Sequence, residues 1–203
     1  MADAEDSTPA VAADAGAGDH PLLAALLAKF PTAVLATNCF RGDATAIVER
    51  ASCVEICRWL RDDPETAFDM LMDVTAVDYL GRRPRFEVVY HLYSLEKNHR
   101  LRLKVPLEED DVAIPSLVEL WSGADWLERE TFDMYGIRFE GHPNLKRIYL
   151  YEQFVGHPLR KDYPKERRQP LIGPGAVNRD AENADLTEPA PSEAPVGAGE
   201  RRP

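Results

Sequence analysis

Arg85-Phe86-Glu87-Val88-Val89-Tyr90-His91-Leu92-Tyr93-Ser94 sets Phe86, Val88, Tyr90 and Leu92 in alternation with Glu87, Val89, His91 and Tyr93. Successive side chains leave opposite faces of a pleated strand, so a two-residue period marks a strand with one face buried. The same period continues in Leu101, Leu103 and Val105 against Arg102, Lys104 and Pro106, and Phe68 to Tyr79 is a third strand-like run. The connections at Gly81 to Pro84 and Glu96 to His99 are short enough to predict an antiparallel meander.

Upstream, Pro21 to Phe30 reads as an amphipathic helix with Leu22, Leu23, Leu26 and Leu27 on one face and Pro in its first turn. Ala33 to Thr37 and Ala44 to Val48 read as two short strands around the turn Phe40-Arg41-Gly42-Asp43. Ser52 with Glu55 has the capping-box spacing for a helix running to about Leu60, which Asp62-Asp63-Pro64 ends. Downstream, Pro115 opens an expected helix through Trp121. Ser122, with Asp125 three residues on, caps an expected last helix that stops at Gly136. Two helices before a sheet and two after it define an α+β fold: a compact helix-plus-antiparallel-sheet domain over 20–136, without repeats.

Residues 137–166 follow as an extended strap. Its turns at Gly141-His142-Pro143 and Gly156-His157-Pro158 leave no repeating apolar face, so it is expected to be ordered only against a partner. Residues 1–19 and 167–203 are rich in Ala, Gly, Pro and acids and nearly free of large apolar groups, the composition of disordered tails.

The net charge of −11 argues against a general nucleic-acid binder, whose affinity is built from Lys and Arg. Residues 141–168 reverse that sign, with seven bases against three acids. Arg160, Lys161, Lys165, Arg167 and Arg168 form a basic run without a glycine-rich phosphate loop, which suits an acidic groove on another protein. No apolar run spans a membrane and the N-terminus lacks a signal pattern, so a cytoplasmic location is expected. Cys39, Cys53 and Cys57 make no disulfide framework. Cys53 and Cys57 lie one helical turn apart but lack the further ligands a zinc or iron-sulfur site needs, so they are expected to be buried thiols.

In the last helix Asp125, Arg129 and Asp133 fall in line at four-residue spacing with Glu130 beside them, which predicts Arg129 clamped between two carboxylates. Glu130, Asp133 and His142 could alternatively serve a free-standing hydrolase, whereas an ion-pair network is the simpler use of these acids. His142 and His157, each between Gly and Pro, are expected to bond nearby backbone or a facing chain rather than a metal.

Glu128-Arg129-Glu130, two residues, Asp133-Met134-Tyr135, six residues, His142, three residues, Lys146, one residue, Ile148-Tyr149 resembles the signature of the 30 kDa-type subunit, or C subunit, of proton-pumping NADH-quinone oxidoreductase, respiratory complex I. Gly156-His157-Pro158-Leu159-Arg160-Lys161-Asp162-Tyr163-Pro164 is similar to that family's second hallmark. Between them, Leu150-Tyr151-Glu152-Gln153 departs from the more common Thr-Asp-Tyr-Gly.

The resemblance implies an α+β domain whose extension wraps the large D subunit of the complex, beside its B and I subunits. It also implies a structural subunit of an enzyme complex with no catalytic, cofactor-binding or metal residue in this chain. FMN, iron-sulfur clusters and quinone then belong to other subunits, and the location is peripheral, on the cytoplasmic face of the bacterial inner membrane. The residues it assigns to the subunit interface are Glu128, Arg129, Glu130, Asp133, Gly136, His142, Pro143, Arg147, Gly156, His157, Pro158, Leu159, Arg160, Lys161, Asp162 and Pro164. A related subunit of a membrane-bound hydrogenase or of a ferredoxin- or F420-linked dehydrogenase is the neighbouring alternative.

Overall fold

The computed structural model describes residues 20–166 together with 168 and 169, so the two expected disordered tails lie almost wholly outside the described residues. Along the chain come α1 (Pro21–Lys29), β1 (Val34–Phe40), β2 (Asp43–Val48) and a 3-10 turn at Arg50–Ser52. They are followed by α2 (Cys53–Asp62), β3 (Met70–Asp78), β4 (Phe86–Ser94), β5 (His99–Leu107), β6 (Ala113–Pro115), α3 (Ala124–Tyr135) and β7 (Arg138–Glu140). The fold is α+β, with three α-helices and a five-stranded sheet ordered β1-β2-β5-β4-β3.

The alternating residues of β4 and β5 meet in register: Val88 faces Val105, Tyr90 faces Leu103 and Leu92 faces Leu101. Val74 and Ala76 of β3 extend the same apolar face to one side, and Ala44 and Ala46 of β2 extend it to the other. Leu23 and Leu26 of α1 and Ile56, Cys57 and Leu60 of α2 complete the core with it. Burying a Leu or Ile side chain contributes roughly 1.5 to 3 kcal/mol, so this layer carries most of the stability.

The sheet is mixed rather than antiparallel throughout. β1, β4 and β3 pair antiparallel with their neighbours, but β2 runs parallel to β5. Alternation reports which face is buried and is silent on strand direction, and α2 with the β3–β4 hairpin lies between β2 and β5 as their long connection.

The helix expected from Pro115 to Trp121 is absent. Ala113–Pro115 pairs in parallel with β7, and 117–121 is a turn closed by the Leu120 and Trp121 N–H groups on the Leu117 carbonyl. Seven residues make a marginal helix on their own, whereas the strand pairing buries Ala113 and Ile114. Neither expected serine cap forms. Ser52 lies at φ −97°, ψ −1° with no side-chain cap bond, and Gly123 occupies the N-cap of α3. A side-chain cap requires an extended N-cap residue, and both positions are already helical in conformation.

α3 lies along β3: the Thr131 hydroxyl donates to the Val74 carbonyl at 3.0 Å, and the Trp121 indole N–H donates to the Phe68 carbonyl at 3.2 Å. This edge of the sheet is covered, and α3 turns its opposite side to the segment beyond Gly136.

Candidate functional site

Asp125, Arg129 and Asp133 do fall in line on α3, but their partners are on the strap and not on one another. At the start of α3, His142 Nε2 lies 3.2 Å from the Asp125 carbonyl and 3.3 Å from its Oδ1. The Asn144 N–H donates to His142 Nδ1 at 3.0 Å, so Nε2 carries the proton and donates to Asp125. One turn on, Arg129 donates to the carbonyls of Lys146 and Arg147 at 3.1 and 3.3 Å, and its guanidinium lies 5.5 Å from the Trp126 ring. At the last turn, Asp133 Oδ2 accepts the N–H groups of Ile148, Tyr149 and Leu150 at 3.1, 2.9 and 2.9 Å, while Oδ1 accepts Arg147 Nη1 at 2.7 Å. The strap therefore climbs α3 in step with its turns.

This corrects the expected clamp on Arg129. Flexible side chains at four-residue spacing give up freedom to pair in water, whereas a row of main-chain donors and acceptors is already positioned by the strap's turns. Asp133 is fully buried. Burial opposes its charge, but three backbone donors and Arg147 outweigh that and hold the carboxyl below the usual aspartate range.

After the turn at 151–154, where the Phe154 N–H meets the Tyr151 carbonyl, the strap returns to the C-terminus of α3. Helix C-termini leave carbonyls unpaired, and here the second hallmark supplies their donors. His157 Nδ1 lies 3.0 Å from the Asp133 carbonyl, the Leu159 N–H donates to Met134 O at 3.1 Å, and Arg160 Nε donates to Tyr135 O at 2.6 Å. Gly136 ends the helix in the left-handed region at φ +75°, and a Cβ there would come within 2.6 Å of the His157 ring. Both the backbone angle and the close approach require glycine. Gly156, at φ +93°, would bring a Cβ to 3.0 Å from Tyr163 and also passes its carbonyl to Arg147 at 3.1 Å.

A second anchor holds the end of the strap. Arg85 forks onto Asp78 with both contacts at 2.9 Å, pairs with Asp162 at 3.0 Å and also meets Glu109. The Lys161 N–H donates to Asp78 Oδ2 at 2.8 Å. Arg85 and Asp78 are almost wholly buried, so each charge depends on the other. Asp78 and Arg85 were not among the residues singled out from the sequence. Their signal was there: Val74, Ala76 and Asp78 share one phase of β3, so an acid falls on the inward side of the strand.

Glu128 is also fully buried and faces away from the strap. Its Oε2 accepts the Ser116 hydroxyl at 2.6 Å and its Oε1 accepts the Leu117 N–H at 2.7 Å, joining α3 to the β6 turn; burial pushes its pKa up to about 7. Of the other expected interface residues, Glu130, Gly136, His142, Pro158 and Arg160 are half-buried, and Pro143, Leu159, Lys161, Asp162 and Pro164 are exposed. Arg160 is drawn in, its guanidinium 5.1 Å from the Phe86 ring, whereas Lys161, Lys165 and Arg168 face out.

The hydrolase constellation is not assembled. His142 sits beside Asp125, and eight residues of helix, about 12 Å of rise, separate that level from Asp133. Cys53 and Cys57 are buried in the core. Among the described residues no three His, Cys, Asp or Glu side chains gather as a metal site.

The strap thus lies on its own domain, where the sequence had suggested a ribbon without a surface of its own. Its surface keeps Tyr149 and Leu159 66% and 48% exposed, with Lys146 and Lys161 also exposed, and Trp126 of α3 is 63% exposed.

The family described as "Respiratory-chain NADH dehydrogenase, 30 Kd subunit" matches residues 46–169. The C subunit of NADH-quinone oxidoreductase from Roseiflexus castenholzii is 53% identical over 147 residues, 72% of this chain and 84% of that protein. Its counterpart from Citrifermentans bemidjiense is 49% identical over 147 residues, 71% and 90% of the two chains. Among solved structures, a trypsin-resistant fragment of Nqo5 matches with a TM-score of 0.52 and 31% identity, over 61% of this chain and 96% of the fragment. A chain of an archaeal membrane-bound sulfane sulfur reductase shares the fold, with a TM-score of 0.59 at 22% identity over 71% and 85% of the two chains.

Proposed function

This chain belongs to the family of the 30 kDa subunit of respiratory-chain NADH dehydrogenase, and from that premise we propose that it is a structural subunit of the peripheral arm of a proton-translocating NADH-quinone oxidoreductase. It docks on the large D subunit near the quinone-reducing end, with the B and I subunits as neighbours, at the cytoplasmic face of the bacterial inner membrane. Electron transfer from NADH to quinone runs through cofactors of other subunits, FMN and iron-sulfur clusters, and this chain supplies no catalytic group.

One observation carries this reading. The hallmark acids are spent inside the chain: Asp133 accepts four donors and Asp162 pairs with Arg85, both holding the strap, while Glu128 accepts two donors that hold the β6 turn. Neither Glu128 nor Asp133 reaches solvent, so neither is placed to meet a substrate. What α3 and the strap leave exposed is Trp126 of the helix and, on the strap, Tyr149 and Leu159 with Lys146 and Lys161. Large exposed aromatic residues together with exposed cations suit a partner with apolar pockets and an acidic rim. Among the described residues no helix is long and apolar enough to cross a membrane, so membrane attachment runs through the partners.

Binding of the full chain to the separately produced large subunit tests this. Lys146→Glu with Lys161→Glu should weaken the complex about tenfold or more at low salt, with the difference shrinking as salt rises. Tyr149→Ala should weaken it at every salt concentration, while all variants keep the melting temperature of the parent chain. Undiminished binding by both variants would overturn docking through the strap.

A further inference from the structure

The two edges of the sheet are treated differently. β3 is covered by α3, whereas β1 closes the other side of the order β1-β2-β5-β4-β3 with no element beyond it among the described residues. Arg41 and Gly42, at φ +54° and +87°, form the two-residue turn of the β1–β2 hairpin. Such a turn makes Phe40 and Asp43 a hydrogen-bonded pair, and the register repeats this at Asn38 with Thr45 and at Ala36 with Ile47. The residues between them, Thr37 and Cys39, therefore turn both N–H and C=O away from β2. Among the described residues nothing meets these four groups.

The strand Val34-Leu35-Ala36-Thr37-Asn38-Cys39-Phe40 carries neither charge nor proline, and Leu35 and Phe40 are 52% and 58% exposed. Natural edge strands are ordinarily blunted by Lys, Pro, a bulge or a covering element; the irregularity of β1 lies between Val34 and Ala36, so Ala36 to Phe40 is a regular, unblunted edge and a template for strand addition.

We infer that β1 is a docking edge, completed by an extended strand from another subunit of the respiratory assembly. Four main-chain groups in alternating positions fit an extended backbone and no other shape. The strand is about 24 Å long. One strand added to it buries far less than the roughly 1,200 Å² of a self-sufficient interface, so two copies of this chain would not hold together through β1 alone. The added strand must belong to a protein already held elsewhere, and to that extent the inference rests on the assembly reading above. The chain's own tails are poor occupants: 1–19 carries five acids and no base among small residues, and 170–203 is broken by Pro and Gly. Leu35 and Phe40 call for apolar side chains near both ends of the incoming strand.

Hydrogen exchange on the intact complex and on the isolated full-length chain tests this residue by residue. The Thr37 and Cys39 amides should exchange at least about tenfold more slowly in the complex. Slowing confined to 141–164, with Thr37 and Cys39 unchanged, would overturn the docking edge while leaving the assembly reading intact. Protection in the isolated chain that grows with its concentration would assign the edge to a second copy and overturn it as well. Thr37→Pro removes an outward N–H that β2 does not use. It should leave the melting temperature of the isolated chain within a few degrees yet lower the amount built into the complex; wild-type incorporation would overturn the inference.

Discussion

The Lys161 N–H donates to Oδ2 of Asp78 at 2.8 Å, across 83 residues of sequence. The same carboxylate is held by Arg85, which also reaches Asp162. The end of the strap is thereby fastened to the β3–β4 end of the sheet through one buried cation.

Arg85→Ala should destabilise the isolated chain by roughly 3 to 5 kcal/mol, because it leaves Asp78 buried without its partner. Arg85→Met combined with Asp78→Leu should cost less than Arg85→Ala alone, since no lone charge remains. Urea melts of the three proteins check this; equal losses would mean that Asp78 is satisfied without Arg85.

Asp133→Asn replaces an acceptor of four donors with a group that is itself half donor. The loop at 146–150 should detach from α3 while the sheet stays folded, so its amides lose protection and the midpoint of global unfolding moves little. The pH dependence has a definite sign. The folded pKa of Asp133 lies below the unfolded value near 3.9, so its contribution is complete above about pH 4 and is lost as acid takes the pH through the folded pKa. Proteolysis within the loop should rise over that interval in the parent chain and be high at every pH in the variant.

Glu128 behaves in the opposite sense. Its folded pKa, about 7, lies above the unfolded value, so the folded state binds the proton more tightly and stability falls as pH rises from about 4.5 to 7. The loss amounts to as much as about 3 kcal/mol. Glu128→Gln keeps an acceptor for the Leu117 N–H and should flatten that decline. Melting temperatures at pH 5 and pH 8 supply the comparison, and an unchanged difference between them would assign the pH dependence to another group.

Gly136→Ala should strain the left-handed turn by about 1 to 2 kcal/mol and push the His157 ring aside, since the new Cβ would lie 2.6 Å from it. Exchange at Leu159 and Arg160, whose N–H groups bond Met134 O and His157 O, should quicken ahead of exchange in β4.

Arg129→Ala should cost the isolated chain no more than about 1 kcal/mol, because its bonds to Lys146 O and Arg147 O are partly open to water. A loss of 3 kcal/mol or more would show that it anchors the loop alone.

The sequence by itself determined which residues of the central strands face inward and where most of the elements lie. The two-residue period of β4 and β5, Leu23 and Leu26 of α1, the stop at Gly136 and the Asp125-Arg129-Asp133 stripe are all local, written within a few residues of one another, and the structure keeps each of them, whereas Leu27 of the same α1 face is exposed. The two hallmark segments likewise identified the family. Tertiary structure decided the rest. The parallel course of β2 against β5, the pairing of β6 with β7 in place of a helix, and the covering of β3 by α3 depend on which distant segment arrives alongside. The stripe on α3 shows the boundary most plainly. Spacing put Arg129 within reach of two carboxylates, but an exposed ion pair gains little over water. A buried carboxylate needs every lone pair met, and only the returning strap, 14 to 17 residues further on, brings the donors that Asp133 accepts.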